Sequence, residues 1–331
     1  MGGSVIEACL RCRKYAKLVS MIEIHGLTKR YGDKVAVDSL DFTVKPGVVT
    51  GFLGPNGAGQ STTMRMITGL DRPTKGTATV NGKNYQSFPA PAKEVGALLE
   101  AKWVHPNRSA RTHLKWMAQA SGISTNRVDE VLRLVGLTDV ASKKAGGFSL
   151  GMSQRLGLAG ALLGDPETLI LDEPVNGLDP EGIRWVRTFL KNLAAEGRTV
   201  FVSSHMLSEM ALTADNLVVI GRGKLVAETT VKEFTSSRGG SSTRLRVGDH
   251  EHMAEALKQE NITFTMDRDD VGREVFVVSG VTTDDVGKVA YSYGIPVFQL
   301  EEHHGSLEDA FLQLTGDDVE YQGAAAQGGQ N

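Results

Sequence analysis

Cysteine is almost missing from this sequence: Cys9 and Cys12 are the only two in 331 residues. A single C-x-x-C offers too few thiolates for a four-cysteine zinc site, and no convincing histidine pair stands near it. Long hydrophobic runs are missing as well. No stretch approaches the roughly 20 apolar residues that cross a bilayer, so a role at a membrane would need a partner. An excess of one charge is also lacking. The 36 basic and 39 acidic residues leave a net charge of −3, which creates no general field for nucleic acid or anionic lipid. No secretory apolar segment is recognisable, and with so little cysteine a cytoplasmic protein is expected. No repeat of solenoid period is visible.

What is present is the composition of a soluble globular protein, with 40% hydrophobic and 23% charged residues, and length for one large core plus a smaller module. Residues 1–20 read as an unstructured leader, without the Ser or Thr of a myristoylation signal at position six. From Met21 the pattern becomes strand-like, with strands expected at 22–27, 40–44 and 48–53. Short β-rich runs at 169–172, 199–203 and 217–220 then alternate with helical periodicity at 127–135, 152–163 and 184–195. That alternation predicts an α/β sheet with crossover helices over residues 21–233. Residues 234–242, rich in Ser and Gly, read as a flexible linker. Residues 243–316 follow a β-α-β-β-α-β order, the split βαβ arrangement. Its closing helix is expected to open at Ser306, with Asp309 completing a weak capping box. Residues 317–331, rich in Gly, Ala and Gln, are expected to be disordered.

The chemistry begins after the strand at 48–53. Gly54, Pro55, Asn56, Gly57, Ala58, Gly59, Gln60, Ser61 and Thr62 lead into a helix in the order of the P-loop, G-x-x-x-x-G-K-[ST], with Gln60 in the lysine position. Glycines let successive backbone N–H groups face one concavity, and the helix N-terminus adds partial positive charge there, so the segment is suited to polyphosphate. Ser61 carries the hydroxyl suited to Mg²⁺. Gln60 is neutral and shorter than lysine; binding can survive on the backbone and the metal, whereas hydrolysis should suffer more.

Further on, the apolar run Leu169-Ile170-Leu171 ends in Asp172 and Glu173. At the carboxyl edge of a sheet, Asp172 can hold Mg²⁺ through water, and Glu173 can act as general base on the attacking water. His205 follows the next apolar run and should lie at the same edge.

These residues resemble the ATP-binding subunits of ABC transporters, and within them the drug-resistance exporter branch that works with a separate permease. Phe148-Ser149-Leu150-Gly151-Met152-Ser153-Gln154-Arg155 is similar to the ABC signature, Val175-Asn176-Gly177-Leu178-Asp179 to the D-loop, His205 to the switch histidine, and Tyr31 to the aromatic that stacks on adenine. Glu100 stands where the family often has the Q-loop glutamine and could serve as an oxygen ligand of the metal. The resemblance covers residues 21–233, with the C-terminal module matching accessory extensions of the branch.

The resemblance implies a P-loop NTPase-type ABC nucleotide-binding domain, a mixed sheet core with a helical subdomain, followed by a small α+β module. It implies ATP and Mg²⁺ as ligands, with Ser149 and Gly151 completing the γ-phosphate site of a facing subunit, most simply a second copy of the same chain. Hydrolysis would power export of a small hydrophobic or drug-like substrate. Trp103, Val104 and His105 would lie near the groove that receives the permease, and the protein would sit on the cytoplasmic face of the membrane. Two other readings stay open. Gln60 could make the chain a weakly hydrolysing regulatory subunit. A soluble member acting on ribosomes or DNA would ordinarily carry two cassettes or a long coiled-coil insertion, and neither is present, so nucleic acid is not expected as a partner.

Overall fold

The computed structural model of the protein describes residues 21–100, 104–238, 241–269, 271–304, 307 and 311. The expected leader and tail, with Cys9, Cys12, Trp103, Ser306 and Asp309, lie outside the described residues. The chain divides into two compact units between Thr229 and Thr230.

In the first unit the strands are β1 (Ile22–Tyr31), β2 (Lys34–Val44), β3 (Val49–Leu53), β4 (Lys75–Val80), β5 (Val95–Leu98), β6 (Thr168–Leu171), β7 (Thr199–Ser204), β8 (Asn216–Gly221) and β9 (Lys224–Thr230). Helices α1 (Gln60–Ile67), α2 (Ala110–Ala120), α3 (Arg127–Leu134), α4 (Leu150–Ala161), α5 (Pro180–Ala195) and α6 (Leu207–Thr213) lie between them. Among the described residues, one sheet has the order β5-β6-β7-β3-β8-β9 and a second, antiparallel one the order β2-β1-β4. The strands β5, β6, β7, β3 and β8 pair in parallel. Every residue of β3, β6 and β7 is buried, which is why these segments read as unbroken apolar runs rather than alternating ones.

The two sheets meet in one core. The rings of Phe42 of β2, Phe52 of β3 and Phe201 of β7 pack against one another in tilted pairs, with centroid distances of 5.7 Å (Phe42–Phe52), 5.8 Å (Phe42–Phe201) and 5.0 Å (Phe52–Phe201). Ile22, Ile24 and Leu27 from β1 and Met64 and Ile67 from α1 close around them. Helices α2, α3 and α4 pack on one another as the helical part of the unit. Because β7 lies between β6 and β3, the carboxyl ends of these three strands stand side by side. Open α/β sheets bind ligands at such an edge.

The second unit opens with a helix, α7 (Val231–Arg238). At 234–238 this corrects the flexible linker expected at 234–242. The physical reason is a capping box: the Thr230 hydroxyl accepts from Glu233 N–H at 3.1 Å while Glu233 Oε2 accepts from Thr230 N–H at 3.2 Å. Strands β10 (Ser241–Val247), β11 (Phe264–Arg268), β12 (Glu274–Ser279) and β13 (Val297–His304) form an antiparallel sheet in the order β11-β12-β10-β13. Two helices accompany them, α8 (His250–Gln259), capped by Asp249, and α9 (Thr283–Ser292), capped by Thr282. Leu245, Met253, Leu257, Phe276 and Val286 form their core. This is the expected split βαβ order. Of the expected closing helix, Leu307 and Phe311 are helical and buried. Among the described residues no helix is long and apolar enough to cross a membrane.

Candidate nucleotide site

The turn after β3 is built on glycine for steric reasons. Gly59 has φ 105°, and a Cβ there would lie 2.5 Å from the Ala36 carbonyl oxygen. At Gly54 a Cβ would come within 2.8 Å of the Ile220 oxygen. Ala58 N–H donates to Pro55 O at 2.9 Å, closing the turn. Gly59 then caps α1 with no side chain on the first N–H groups, so these remain available to an anion.

The turn borders an open cleft of about 470 Å³. Asn56, Gly57, Ala58, Gly59, Gln60, Ser61 and Thr62 line it together with Lys34, Asp172, Glu173, Asn176 and His205. The expected P-loop, carboxylates and histidine are therefore brought together. Gly54 and Pro55 form the approach to the turn and do not line the cleft. The Gln60 side chain is engaged locally: Nε2 donates to the Phe52 carbonyl at 2.7 Å.

On the carboxylate side, Ser203 organises two neighbours. Its hydroxyl donates to Asp172 Oδ1 and accepts from the Glu173 N–H at 3.0 Å. Glu173 adopts φ 50°, a left-handed conformation unfavourable for a residue with a side chain. Gln154 Nε2, from α4, donates to its carbonyl at 2.9 Å and holds it from the other side. His205 Nδ1 lies 2.8 Å from Glu173 Oε2.

Besides Gly54 and Pro55, four expected site residues lie outside the cleft lining. Tyr31, at the end of β1, is 49% exposed and outside the cleft lining. Its hydroxyl donates to Asp71 at 2.9 Å, and Lys29 Nζ lies 4.9 Å from the ring centroid. The Arg65 guanidinium, bonded to Asp71 at 2.9 Å, holds that carboxyl below the usual carboxylate range. Glu100 does not line the cleft either; it borders a separate apolar cavity with Val104, His105 and Trp116. It follows β5, the edge strand, which β6 and β7 separate from the P-loop strand. Ser149 caps α4, accepting from Met152 N–H at 3.2 Å, and with Gly151 it lies outside the cleft lining.

The sequence does not single out Lys34, which lines the cleft, or the hydrogen bonds that Ser203 and Gln154 make at its carboxylate side. For Ser203 a signal existed: two hydroxyl residues, Ser203 and Ser204, end a wholly buried apolar strand. Buried hydroxyls are kept where they have partners.

Among the described residues, no three His, Cys, Asp or Glu side chains form a metal cluster. Ser61 and Asp172 on the walls of one cleft nevertheless suit Mg²⁺, which takes few protein oxygens and completes its shell with water and phosphate.

A strand, a glycine turn, a helix and a carboxylate pair at one sheet edge define a P-loop nucleoside-triphosphate-binding protein. Comparison with known proteins narrows this. The ABC transporter family pattern matches residues 37–176, and a domain of unknown function matches residues 241–308. The chain is 38% identical over 303 residues to the bacitracin transport ATP-binding protein BcrA of Bacillus licheniformis, covering 90% of this chain and 98% of that protein. It is 33% identical over 309 residues to the Nod factor export ATP-binding protein I of Burkholderia orbicola, covering 91% of this chain and 99% of that protein. A solved ATP-binding subunit of an ABC transporter superposes with a TM-score of 0.60 at 28% identity, over 66% of this chain and 93% of the other. The chain belongs to the ABC transporter ATP-binding proteins. A regulatory subunit that hardly hydrolyses, the alternative raised by Gln60, finds no support among these relatives.

Proposed function

We propose that this chain binds and hydrolyses ATP in the cleft beside Gly59 to power export through a separate membrane permease, with two copies of the chain working together. The observation that carries the reading is the Glu173–His205 pair at 2.8 Å in the same cleft as the P-loop turn. Export of a small hydrophobic or drug-like substrate follows relatives named for bacitracin and lantibiotic transport. Through the permease the protein would be peripheral on the cytoplasmic face of the membrane.

The chain's own groups divide the work. Backbone N–H groups of the turn and of the first turn of α1 receive the phosphates. Ser61 and Asp172 would hold Mg²⁺, which when bound screens the charge of the phosphate oxygens. Glu173 accepts a proton from the attacking water. As a base it is ionised and can only accept hydrogen bonds, so the proton in its contact with His205 sits on Nδ1. That contact fixes the Oε2 oxygen and leaves Oε1 for the water. Ser149 and Gly151 point to the dimer: at the N-terminus of α4 and outside their own cleft, they would complete the cleft of a second copy arranged head to tail.

The experiment is Glu173→Gln in the full chain. The amide keeps the shape but cannot take the proton, so steady-state phosphate release should fall by about 10²-fold or more while ATP stays bound. Sedimentation in saturating ATP should then show a dimer. Turnover equal to the parent's would refute the general-base role, and a monomer with ATP bound would refute the paired arrangement.

A further inference from the structure

The cleft has a charge problem. Transferring phosphoryl groups carry negative charge that a P-loop lysine normally meets. Here that position is Gln60, which is neutral and whose amide donates to Phe52 O at 2.7 Å. Among the described residues lining the cleft, the one Lys or Arg is Lys34. We propose that Lys34 is a phosphate-binding residue that supplies the cation missing at Gln60. The proposal rests on the nucleotide-binding reading above.

The fold puts Lys34 there by backbone contacts. It is the first residue of β2, paired with Tyr31 across a turn made by Gly32, at φ 56°, and Asp33. Side chains alternate along a strand, so Lys34 and Ala36 share one face, and both line the cleft. Ala36 is pressed against the P-loop, its carbonyl oxygen 2.5 Å from where a Cβ of Gly59 would be. Two further bonds hold this register: Asp38 N–H donates to Gly223 O at 2.8 Å, and Gly223 N–H donates to Ala58 O at 3.0 Å. Lys34 therefore starts about 7 Å along the strand from the residue that touches the P-loop. That gap is within the span of a flexible four-carbon side chain carrying a point charge. A lysine arriving from β2 approaches the phosphates from outside the loop, whereas one at position 60 would approach from the helix. It should therefore contribute more to holding ATP than to the charge developing in transfer.

The test is Lys34→Met, Lys34→Arg and the double variant Lys34→Met/Gln60→Lys in the full chain, read by calorimetric titration of ATP with Mg²⁺ at several salt concentrations. Lys34→Met should bind ATP about tenfold to a hundredfold more weakly, with a flatter salt dependence. Lys34→Arg should stay within about threefold of the parent. The double variant should recover most of the loss, because its new lysine meets the same phosphates. Binding by Lys34→Met within about twofold of the parent would overturn the proposal and leave the nucleotide-binding reading standing. A loss that the double variant does not recover would assign Lys34 a structural part and overturn it equally. No ATP binding by the parent would overturn the underlying reading and the proposal together.

Discussion

Replacing Ser203 with alanine tests how the carboxylate side of the cleft is held. Ser203 is 1% exposed, and its hydroxyl serves two partners, donating to the Asp172 carboxylate and accepting from the Glu173 N–H at 3.0 Å. Alanine removes both bonds. A hydrogen bond to a charged group contributes about 1.5 to 3 kcal/mol, and a buried N–H left without an acceptor costs about 1 to 3 kcal/mol. Water from the open cleft can reach part of the vacated space, so about 2 to 3 kcal/mol of stability should be lost. The functional effect has a different origin. Glu173 is kept in its left-handed conformation by Ser203 on one side and by the Gln154 amide at 2.9 Å on the other. With one of these gone, the carboxylate is free to shift, and a displacement of about 1 Å at a reacting group can cost about 10²-fold. The turn from Asn56 to Thr62 is untouched, so ATP affinity should stay within about threefold. Phosphate release, ATP titration and urea unfolding on the same preparation separate these effects. Turnover equal to the parent's, in a protein measurably less stable, would show that Ser203 supports the fold without positioning Glu173.

Gln60→Lys should raise turnover by about tenfold to a hundredfold and tighten ATP binding by less than that, since the new charge lies nearest the oxygens that rearrange in transfer. Side-by-side kinetics and titration check this, and unchanged turnover would mean the position no longer influences chemistry. Gly59→Ala should destabilise the first unit by about 1 to 3 kcal/mol and abolish measurable ATP binding, because the backbone at φ 105° and the Ala36 oxygen 2.5 Å from the new Cβ leave no place for a methyl group. A denaturant curve with parental midpoint would refute that steric account.

How much of this could be read from the residues depends on the distance over which each feature is determined. The P-loop turn was legible because its glycines are spaced within one short segment, although what makes Gly54 and Gly59 obligatory are oxygens of Ile220 and Ala36 far away in the chain. Asp172 and Glu173 were legible because a strand buried on both faces is an unbroken apolar run, and the carboxylates stand at its end. The strand β4 was not expected: of Lys75–Val80 only Ala78 and Val80 are buried, too few to show an alternation. The start of β2 was missed for a related reason, since Lys34 and Val35 are exposed and Ser39 interrupts the pattern at φ 51°. The helix α7 was missed although its capping box, Thr230 and Glu233, was present, because the Ser and Gly that follow dominate the composition.

Gln60 and Lys34 bring both kinds of information to one place. A departure from a local pattern can be seen as an absence at position 60, but nothing local says where a replacement charge would come from. The pairing of β2 with β1 places Lys34 opposite Tyr31, and the bonds through Gly223 dock that hairpin on the P-loop. Compensation across elements therefore requires the register of the antiparallel sheet to be kept. A one-residue slip of β2 would turn Lys34 to the other face and leave the described residues of the cleft lining without a lysine or arginine. The buried face of β2, with Val37, Leu40, Phe42 and Val44 in the shared core, makes such a slip costly. The packing that stabilises the unit is thus also what would hold the charge at the phosphates.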